Sequence, residues 1–308
     1  MMRLEQVPGV ASVPDIPNNT PLYATRRTPP GMPALHQLCS ILGSRGAGKT
    51  TTLIRMLRMY VDYSSYDEIY IVSPTAKRDT KVKEFVEFAE KKGVKVTLKE
   101  EYSEPEFKQY LEHMKTEVDE YRKYLKDLEV WKRFKAVRNV DDLSLDDLIA
   151  LDAMGWSEPE TEYKHGFPSF AVVFDDCLGQ KSIMTPSCKG TVASYAISHR
   201  HYSSSLFFLV QAHATGLPRG LRANISLYIL FASKSPTLKK SISEEIAWRV
   251  DPDVFLRMWE YATEDSPYSF LMCEYDSKDV NKMFRKNFDK YIVWDSDASD
   301  ASEKLSES

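Results

Sequence analysis

The stretch Leu38–Leu42, with sequence LCSIL, leads directly into GSRGAGKT at residues 43–50, and apolar side chains then recur with helical spacing over residues 51–60. The apolar run predicts a short strand, and the next segment fits the pattern G-x-x-x-x-G-K-T. A strand, a glycine-rich loop and a helix in this order predict a phosphate-binding loop. A chance match in a glycine-rich turn is the alternative, and this context argues against it.

The residue types of this loop suit the binding of a nucleoside triphosphate. Glycines let successive backbone N–H groups point at phosphate oxygens, and the N-terminus of the following helix adds its positive dipole end. Lys49 would reach the β- and γ-phosphates, and the hydroxyl of Thr50 would bind Mg²⁺. We therefore expect the nucleotide to be bound by Gly43, Ser44, Arg45, Gly46, Ala47, Gly48, Lys49, Thr50 and Thr51.

A second apolar run, residues 170–174, is followed directly by Asp175 and Asp176. An unbroken apolar run is typical of a central strand that is buried on both faces. Two acids at its end fit a role beside the phosphates: Asp175 in the Mg²⁺ shell, and Asp176 orienting or deprotonating the attacking water. A surface turn with two solvated acids is the alternative, and the complete phosphate loop upstream argues against it.

Two further strands, at residues 68–72 and 94–98, are predicted between the loop and the acids. This spacing suggests that a strand is inserted between the loop strand and the acid strand in the sheet. The layout resembles the additional-strand group of P-loop ATPases, the motors and helicases, and argues against nucleotide kinases and GTPases. The expected fold is α/β, a mostly parallel sheet flanked by helices, of the RecA and FtsK/HerA type.

Later segments carry three further candidate residues. A buried strand at residues 205–210 is followed by Gln211, whose polar group would lie at the edge of the sheet and could sense a γ-phosphate or a water. A plain strand end is the alternative. Arg219 and Arg222 lie in a Gly/Pro-containing loop before the next strand, at residues 225–231. They are either solvated charges or arginine fingers that reach a neighbour's nucleotide.

Length, charge and composition define the class of protein. The 308 residues can bury one large core or two smaller ones, and 43% apolar with 28% charged residues is ordinary for a soluble globular protein. No apolar run is long enough to cross a bilayer, and prolines near the N-terminus argue against a signal peptide, so we expect an intracellular protein. Residues 295–308 carry five acids and one lysine, which equals the formal net charge of −4. The rest of the chain is about neutral, so any nucleic-acid contact must be a local patch.

The chain divides into three expected regions, the second of which contains an insertion. Residues 1–33 are proline-rich and predict an extended arm that is not packed, and residues 34–294 form the ATPase domain. Within this domain, residues 104–155 form a helical insertion, whose heptad stripe packs on the protein's own body or contacts a neighbouring subunit. Residues 141–155 predict a short helix within the insertion. The acidic tail, residues 295–308, is expected to be disordered.

The cysteines and the basic residues give weaker signals. The four cysteines are scattered along the chain, which makes a structural zinc site and a disulfide framework unlikely. Cys39 and Cys177 are expected to be buried thiols. The best local groups for contact with DNA phosphates are Lys234, Lys239, Lys240, Arg285 and Lys286. For each of them, a solvated surface position is the alternative.

Four blocks together give a specific resemblance. They are GSRGAGKT at 43–50, VVFDDC at 172–177, SHRHYSSSLFFLVQ at 198–211 and LPRGLRANISLYILF at 217–231. In this order they resemble the genome-packaging ATPases of nucleocytoplasmic large DNA viruses, the poxvirus-type branch of the FtsK/HerA superfamily. The similarity covers about residues 34–235.

This resemblance implies an ATP-driven double-stranded DNA translocase, assembled as a homo-oligomeric ring, that packages a viral genome into a preformed capsid. It implies ATP and Mg²⁺ as cofactors and capsid or portal proteins as partners. The expected location is the cytoplasmic assembly site of an infected host cell, or the virion. The matched residues imply the following roles: Lys49 and Thr50 bind nucleotide and Mg²⁺, Asp175 and Asp176 form the acidic pair, Gln211 is the sensor, and Arg222, or else Arg219, is the finger. Asp176 departs from the glutamate that is usual at its position in the superfamily.

Two other functions fit the same residues. One is a FtsK/HerA-like translocase or helicase that serves replication or conjugation. The other is a nucleotide-gated assembly factor that binds ATP as a switch and does not translocate. The presence of both Asp175 and Asp176 argues against a pure switch, which does not need an acid to activate water.

Overall fold

The computed structural model describes residues 26–177, 190–211, 213–247, 250–277 and 279–293. Within these residues nine strands form one sheet, in the spatial order β3-β2-β4-β5-β1-β6-β7-β8-β9. The strands are β1 Leu38–Leu42, β2 Glu68–Val72, β3 Lys95–Lys99, β4 Phe170–Asp175, β5 Ser204–Val210, β6 Leu227–Phe231, β7 Phe270–Glu274, β8 Phe284–Lys286 and β9 Lys290–Tyr291. The helices are α1 Lys49–Asp62, α2 Thr80–Lys91, α3 Glu104–Ala136, α4 Leu145–Ala153, α5 Thr191–Ser198, α6 His213–Gly216, α7 Arg219–Arg222, α8 Pro236–Ile246 and α9 Pro252–Thr263.

Strand β5 lies between the loop strand β1 and the acid strand β4. It pairs in parallel with both: Leu206 is opposite Leu38 of β1 and Val172 of β4. The expected inserted strand is therefore present, but it follows the acids in the chain, whereas β2 and β3 lie beyond β4. Strands β1 to β6 are all parallel, and β7, β8 and β9 extend the sheet in antiparallel fashion. The expected α/β fold with a mostly parallel sheet is confirmed.

Helices cover both faces of the sheet. Successive strand residues point to opposite faces, and in the central strands the residues on both faces are apolar and need to be buried. In β4, Val172 and Phe174 join one core cluster, which also contains apolar residues of α3, α5, α8 and α9. Ala171 and Val173 join the other cluster, with residues of α1 and α2. The central strands are thus buried on both sides, as their unbroken apolar sequences indicate.

The long helix α3 packs on the body through its first half and on α4 through its second half. Phe107 packs edge-on against Phe174 and Tyr195, with ring centroids 5.5 Å apart in both pairs. Farther along the helix, Trp131 joins Leu151 of α4 in a small separate cluster. The first half of the heptad stripe therefore faces this chain's own core.

Helix α4 is shorter than the predicted helix at 141–155. A 3₁₀ turn, Val140–Asp142, comes first, and α4 begins only after Ser144, whose hydroxyl accepts a hydrogen bond from the N–H of Asp147 at 3.1 Å. The hydroxyl satisfies one of the N–H groups that have no partner within the helix, and this N-cap marks the start of α4.

The described end of the N-terminal arm is packed, contrary to the expectation from its prolines. Arg26 is buried and forms an ion pair with Asp67. The carbonyl of Arg27 accepts a hydrogen bond from Ser65 at 2.7 Å, and that of Pro33 accepts one from Tyr60 at 2.7 Å. A proline-rich segment leaves many of its carbonyl groups without backbone partners. Here two of these carbonyls accept hydrogen bonds from side chains of the ATPase domain. Residues 1–25 of the arm, Cys188 and the acidic tail lie outside the described residues.

Both edges of the sheet carry lysine. The edge strand β3 contains Lys95 and Lys99, and the opposite edge strand β9, of two residues, contains Lys290. Lysine on an edge strand disfavours the addition of another strand. Among the helices that the structure describes, none has the length and apolar character needed to span a bilayer.

Candidate nucleotide-binding site

The glycine-rich loop lies at the carboxyl edge of the parallel strands, between the end of β1 and the start of α1. Gly46 and Gly48 have φ angles of +81° and +100°, a region that side chains other than glycine rarely adopt. At Gly43 an added Cβ would meet the Cβ of Phe231 at 3.0 Å and that of Ala47 at 3.1 Å. Gly46 and Gly48 are therefore favoured by their backbone conformation, and Gly43 by the lack of space for a side chain.

Lys49 is folded back over this loop. Its ammonium group donates hydrogen bonds to the carbonyls of Gly43 at 2.9 Å and Ser44 at 3.3 Å, and the residue is 6% exposed. The charge thus lies within the curl of the loop, where the backbone N–H groups would hold phosphate oxygens.

Asp175 joins three elements at the end of β4. One carboxylate oxygen, Oδ2, accepts hydrogen bonds from Thr50 of α1 and from Ser73, which follows β2, both at 3.2 Å. The other oxygen, Oδ1, is buried and has no hydrogen-bond partner among the described residues. Burial, and after it the nearby charge of Asp176, raise the pKa of Asp175 to about 6.

Thr50 and Asp175 fit a magnesium site. A hydroxyl and a carboxylate are oxygen ligands of the kind that Mg²⁺ prefers, and a site of one or two protein ligands completed by phosphates is usual for this ion. The buried and unpartnered Oδ1 of Asp175 is an acceptor that a cation would satisfy. We found no cluster of three or more His, Cys, Asp or Glu suited to a metal elsewhere in the described parts of the chain.

Asp176 and Gln211 meet at the ends of β4 and β5. The side-chain amide of Gln211 donates a hydrogen bond to the carboxylate of Asp176 at 3.0 Å. Asp176 has a φ angle of +49°, and both side chains are exposed. The two strands are parallel neighbours, so their carboxyl ends meet at the same edge of the sheet. The second acid and the proposed sensor are thereby brought together.

A pocket of about 540 Å³ opens over the loop. Five of its lining residues were not expected from the sequence: Thr52, Arg55, Asp79, Lys81 and Tyr268. Lys81 donates a hydrogen bond to the hydroxyl of Thr51 at 2.9 Å. Thr52 and Arg55 continue α1 beyond the motif. Asp79, Lys81 and Tyr268 come from other segments and carry no local sequence signal, because only the fold brings them to the loop.

Arg219 and Arg222 lie at the amino ends of the parallel strands, whereas the loop lies at their carboxyl ends. Both are in α7, which precedes the amino end of β6, and Tyr228 of that strand donates a hydrogen bond to the carbonyl of Arg222 at 3.3 Å. A strand of five residues separates the two ends by about 17 Å. Within one chain these arginines therefore do not reach the loop.

Arg222 is held in place, whereas Arg219 is exposed. The Arg222 guanidinium donates hydrogen bonds to Glu245 at 2.7 Å and to the carbonyl of Leu217 at 2.7 Å, and its side chain is 11% exposed. Together with Arg200, the two arginines line a pocket of about 530 Å³.

Two of the basic residues considered for DNA contact are buried, which corrects the sequence expectation. Arg285 and Lys286 are 5% and 8% exposed, and they form ion pairs with Glu274 and Asp265. They lie in β8, a strand too short to be recognised by its periodicity. Lys239 pairs with Glu260 at 2.7 Å, and Lys234 and Lys240 are exposed. The expected buried thiols are confirmed at Cys39 and Cys177.

The sheet order and the glycine-rich loop define the P-loop NTPase fold, with an additional strand between the loop strand and the acid strand. No protein-family model and no curated protein sequence matches this chain. Solved structures with a similar fold include the genome-packaging NTPase B204 of Sulfolobus turreted icosahedral virus 2 in complex with ATP-γS. It is 13% identical with a TM-score of 0.45, over 84% of this chain and 98% of that one.

Two further similar structures are the DNA-packaging ATPase B204 of Sulfolobus turreted icosahedral virus and ATPases 2 and 3 of EssC from Geobacillus thermodenitrificans. The first is 14% identical with a TM-score of 0.48, over 83% of this chain and 98% of that one. The second is 13% identical with a TM-score of 0.47, over 88% of this chain and 42% of that one. Similarities this low carry no argument about function, which rests instead on the residues of this chain.

Proposed function

We propose that this protein is a magnesium-dependent ATPase that translocates double-stranded DNA. The observation that carries the ATPase part of the proposal is the hydrogen bond between Thr50 and Asp175, and the translocation of DNA is supported by the resemblance of the four sequence blocks. It joins the first turn after the phosphate loop to the carboxylate at the end of β4, across the inserted strand β5. Hydroxyl and carboxylate are thereby adjacent, as a shared magnesium site requires.

The residues around this pair have separate roles in hydrolysis. The loop N–H groups and Lys49 bind the phosphates, and Thr50 and Asp175 hold Mg²⁺, which when bound neutralises charge on the phosphate oxygens. Asp176 orients the water and accepts its proton, while the water oxygen attacks the γ-phosphorus and ADP leaves with the bonding electron pair. Gln211 positions the carboxylate of Asp176 through its amide.

The two ends of the parallel strands suit a head-to-tail ring. Each chain has its phosphate loop at the carboxyl ends of the parallel strands and the arginines Arg219 and Arg222 at the amino ends. The arginines of one chain could therefore reach the phosphate loop of its neighbour. Head-to-tail contacts of this kind close into rings when the rotation permits. We assign Arg222 as the finger that completes a neighbour's site, with Arg219 as the second choice, so that hydrolysis is coupled to the geometry between subunits.

The finer role that we propose is the packaging of a viral genome into a capsid, with capsid or portal proteins as partners in an infected cell. Its support is the resemblance of the four sequence blocks to viral packaging ATPases. The body of the chain is about neutral, so DNA is contacted by a local patch rather than by a basic surface.

The test is the ATPase rate against added double-stranded DNA, at low and at moderate salt, with Lys49→Ala as the blank. A motor hydrolyses ATP faster with DNA, and salt removes the stimulation because phosphate contacts release counterions. Hydrolysis that depends on Lys49 but is indifferent to DNA would overturn the translocase in favour of a nucleotide-gated assembly factor. Binding to a capsid or portal protein separates packaging from a role in replication or conjugation.

A further inference from the structure

An exposed aromatic ring lies beside the phosphate loop. The side chain of Tyr268 lines the loop pocket, and the residue is 65% exposed. A Cβ built on Gly48 would come within 3.3 Å of Cδ1 of Tyr268, so the ring lies directly beside the loop at Gly48. An exposed aromatic side chain costs free energy in water, and the face of its ring can stack on a flat partner.

The strand order places Tyr268 and the proposed magnesium ligands Thr50 and Asp175 on opposite sides of the phosphate loop. Strand β1, which leads into the loop, has β5 and then the acid strand β4 on one side, and β6 and then β7 on the other. Thr50 and Asp175 mark where the terminal phosphate and Mg²⁺ belong. Tyr268 precedes β7 and lies on the other side of the loop. A nucleotide with its terminal phosphate near Asp175 therefore has space for its base on the side of Tyr268.

The turn that carries the ring is fixed in place. The hydroxyl of Ser266 accepts a hydrogen bond from the N–H of Tyr268 at 3.2 Å, and its carbonyl accepts one from the N–H of Ser269 at 3.0 Å. Phe270, two residues on, packs against Phe231 with ring centroids 5.5 Å apart. The ring is thus presented by a turn anchored in the core, which lowers the entropy lost on binding.

We propose that Tyr268 is the platform on which the nucleobase of the bound nucleotide stacks. The inference rests on the proposed nucleotide site and adds the residue that binds the base. Stacking uses the flat face of the ring and needs no hydrogen bond to the base. The phosphate loop holds the triphosphate, and Tyr268 adds affinity for nucleotides over triphosphate alone.

The experiment compares the binding of Mg²⁺-ATP with that of Mg²⁺-tripolyphosphate, which has the phosphates without ribose or base, by calorimetry. Tyr268→Ala should weaken ATP binding by about 5- to 150-fold, the effect of losing one base stack, and leave tripolyphosphate binding unchanged. Tyr268→Phe keeps the ring and should keep the affinity. The matched control is Tyr63→Ala, because Tyr63 is 45% exposed and lies at the other end of α1.

The outcomes separate this inference from the proposed function. If Lys49→Ala abolishes the binding of both ligands but Tyr268→Ala leaves ATP binding intact, the base platform is wrong and the phosphate site stands. An equal loss of both ligands in Tyr268→Ala would also overturn the platform, because a disturbed loop, and not a lost stack, would then explain it. If Lys49→Ala still binds both ligands normally, the phosphate site and the platform fall together.

Discussion

One carboxylate oxygen of Asp175 is buried without a hydrogen-bond partner among the described residues. A buried acceptor left unsatisfied costs about 1–3 kcal/mol. Burial also penalises the ionised form, which is why the pKa of this carboxyl is raised. Such a cost is typical of positions that are arranged for a ligand and not for stability.

Replacing Asp175 by Asn should therefore separate stability from function. In buffer free of Mg²⁺ and nucleotide, at about pH 8, Asp175→Asn should raise the free energy of unfolding by about 1–2 kcal/mol, because no buried charge remains. The same variant should lose the extra stability that Mg²⁺-ATP gives the wild type. Urea unfolding with and without Mg²⁺-ATP measures both. A variant that is less stable without ligand would contradict this account of Asp175.

His36 gives the folded protein a sensitivity to acid. Burial, and after it the nearby His199, lower its pKa from 6.5 to about 3. The folded state then binds fewer protons than the unfolded state, so stability is complete above pH 6.5 and falls as the pH is lowered toward 3. Between about pH 7.5 and about pH 5.5 the loss from this one group should be about 1.4 kcal/mol.

The test of this effect is His36→Asn. His36 has a φ angle of +64°, which asparagine tolerates better than most residues, so the backbone can be kept. Urea unfolding at the two pH values should show a flatter pH dependence in the variant. Equal slopes for the wild type and the variant would assign the acid sensitivity to other groups.

At the scale of elements, α3 belongs to two different cores. Phe107, in its first half, packs against rings of β4 and α5. Trp131, in its second half, packs against Phe134 with centroids 5.2 Å apart and belongs to the small cluster with α4. Arg133 and Asp147 add an ion pair between α3 and α4. We therefore expect the outer part of the insertion to open while the sheet stays folded.

Two substitutions should distinguish these halves. Phe107→Ala should lower the global free energy of unfolding by about 3–5 kcal/mol, as expected for a large side chain lost from the main core. Trp131→Ala should remove amide-exchange protection from the second half of α3 and from α4, and leave the protection of β1 and β4 unchanged. Exchange followed by mass spectrometry reports both. Loss of protection in the sheet of Trp131→Ala would mean that the two cores unfold as one.

The elements that sequence predicts well are those whose signal is contiguous. The loop with its strand and helix is the continuous stretch 38–62, and β4 with its two acids is the stretch 170–176; hydrophobic patterning marks both. Ser73 and Tyr268 could not be predicted as parts of the site, because only strand pairing brings them to it. The position of β5 beside β1 likewise follows from pairing. Arg285 and Lys286 were misjudged because their burial depends on acids elsewhere in the chain.

At the scale of the whole molecule, the separation of the arginines from the loop makes a specific prediction. If Arg222 completes the site of a neighbouring chain, Arg222→Ala should bind ATP normally yet hydrolyse it about 10³-fold more slowly or worse. When it is mixed with the wild type, activity should fall more steeply than the wild-type fraction. The measurement is the ATPase rate over a series of mixing ratios.

Because Arg222 also pairs with Glu245, a structural effect needs its own control. Glu245→Gln removes the charge partner and leaves the guanidinium in place. That variant should retain hydrolysis and should not inhibit wild-type chains in mixtures. A rate that declines in simple proportion to the Arg222→Ala fraction, or an equal defect in Glu245→Gln, would remove the role of Arg222 between chains.

The lysine-bearing edge strands β3 and β9 also bear on how copies of this chain could touch. Joining two sheets edge to edge would lock the copies together through a ladder of directional backbone hydrogen bonds. With that route disfavoured, contacts are left to side chains on loops and helices, which tolerate small rotations. Neighbouring copies would then be able to rotate slightly against each other, as a motor that changes its subunit geometry in each cycle of hydrolysis requires.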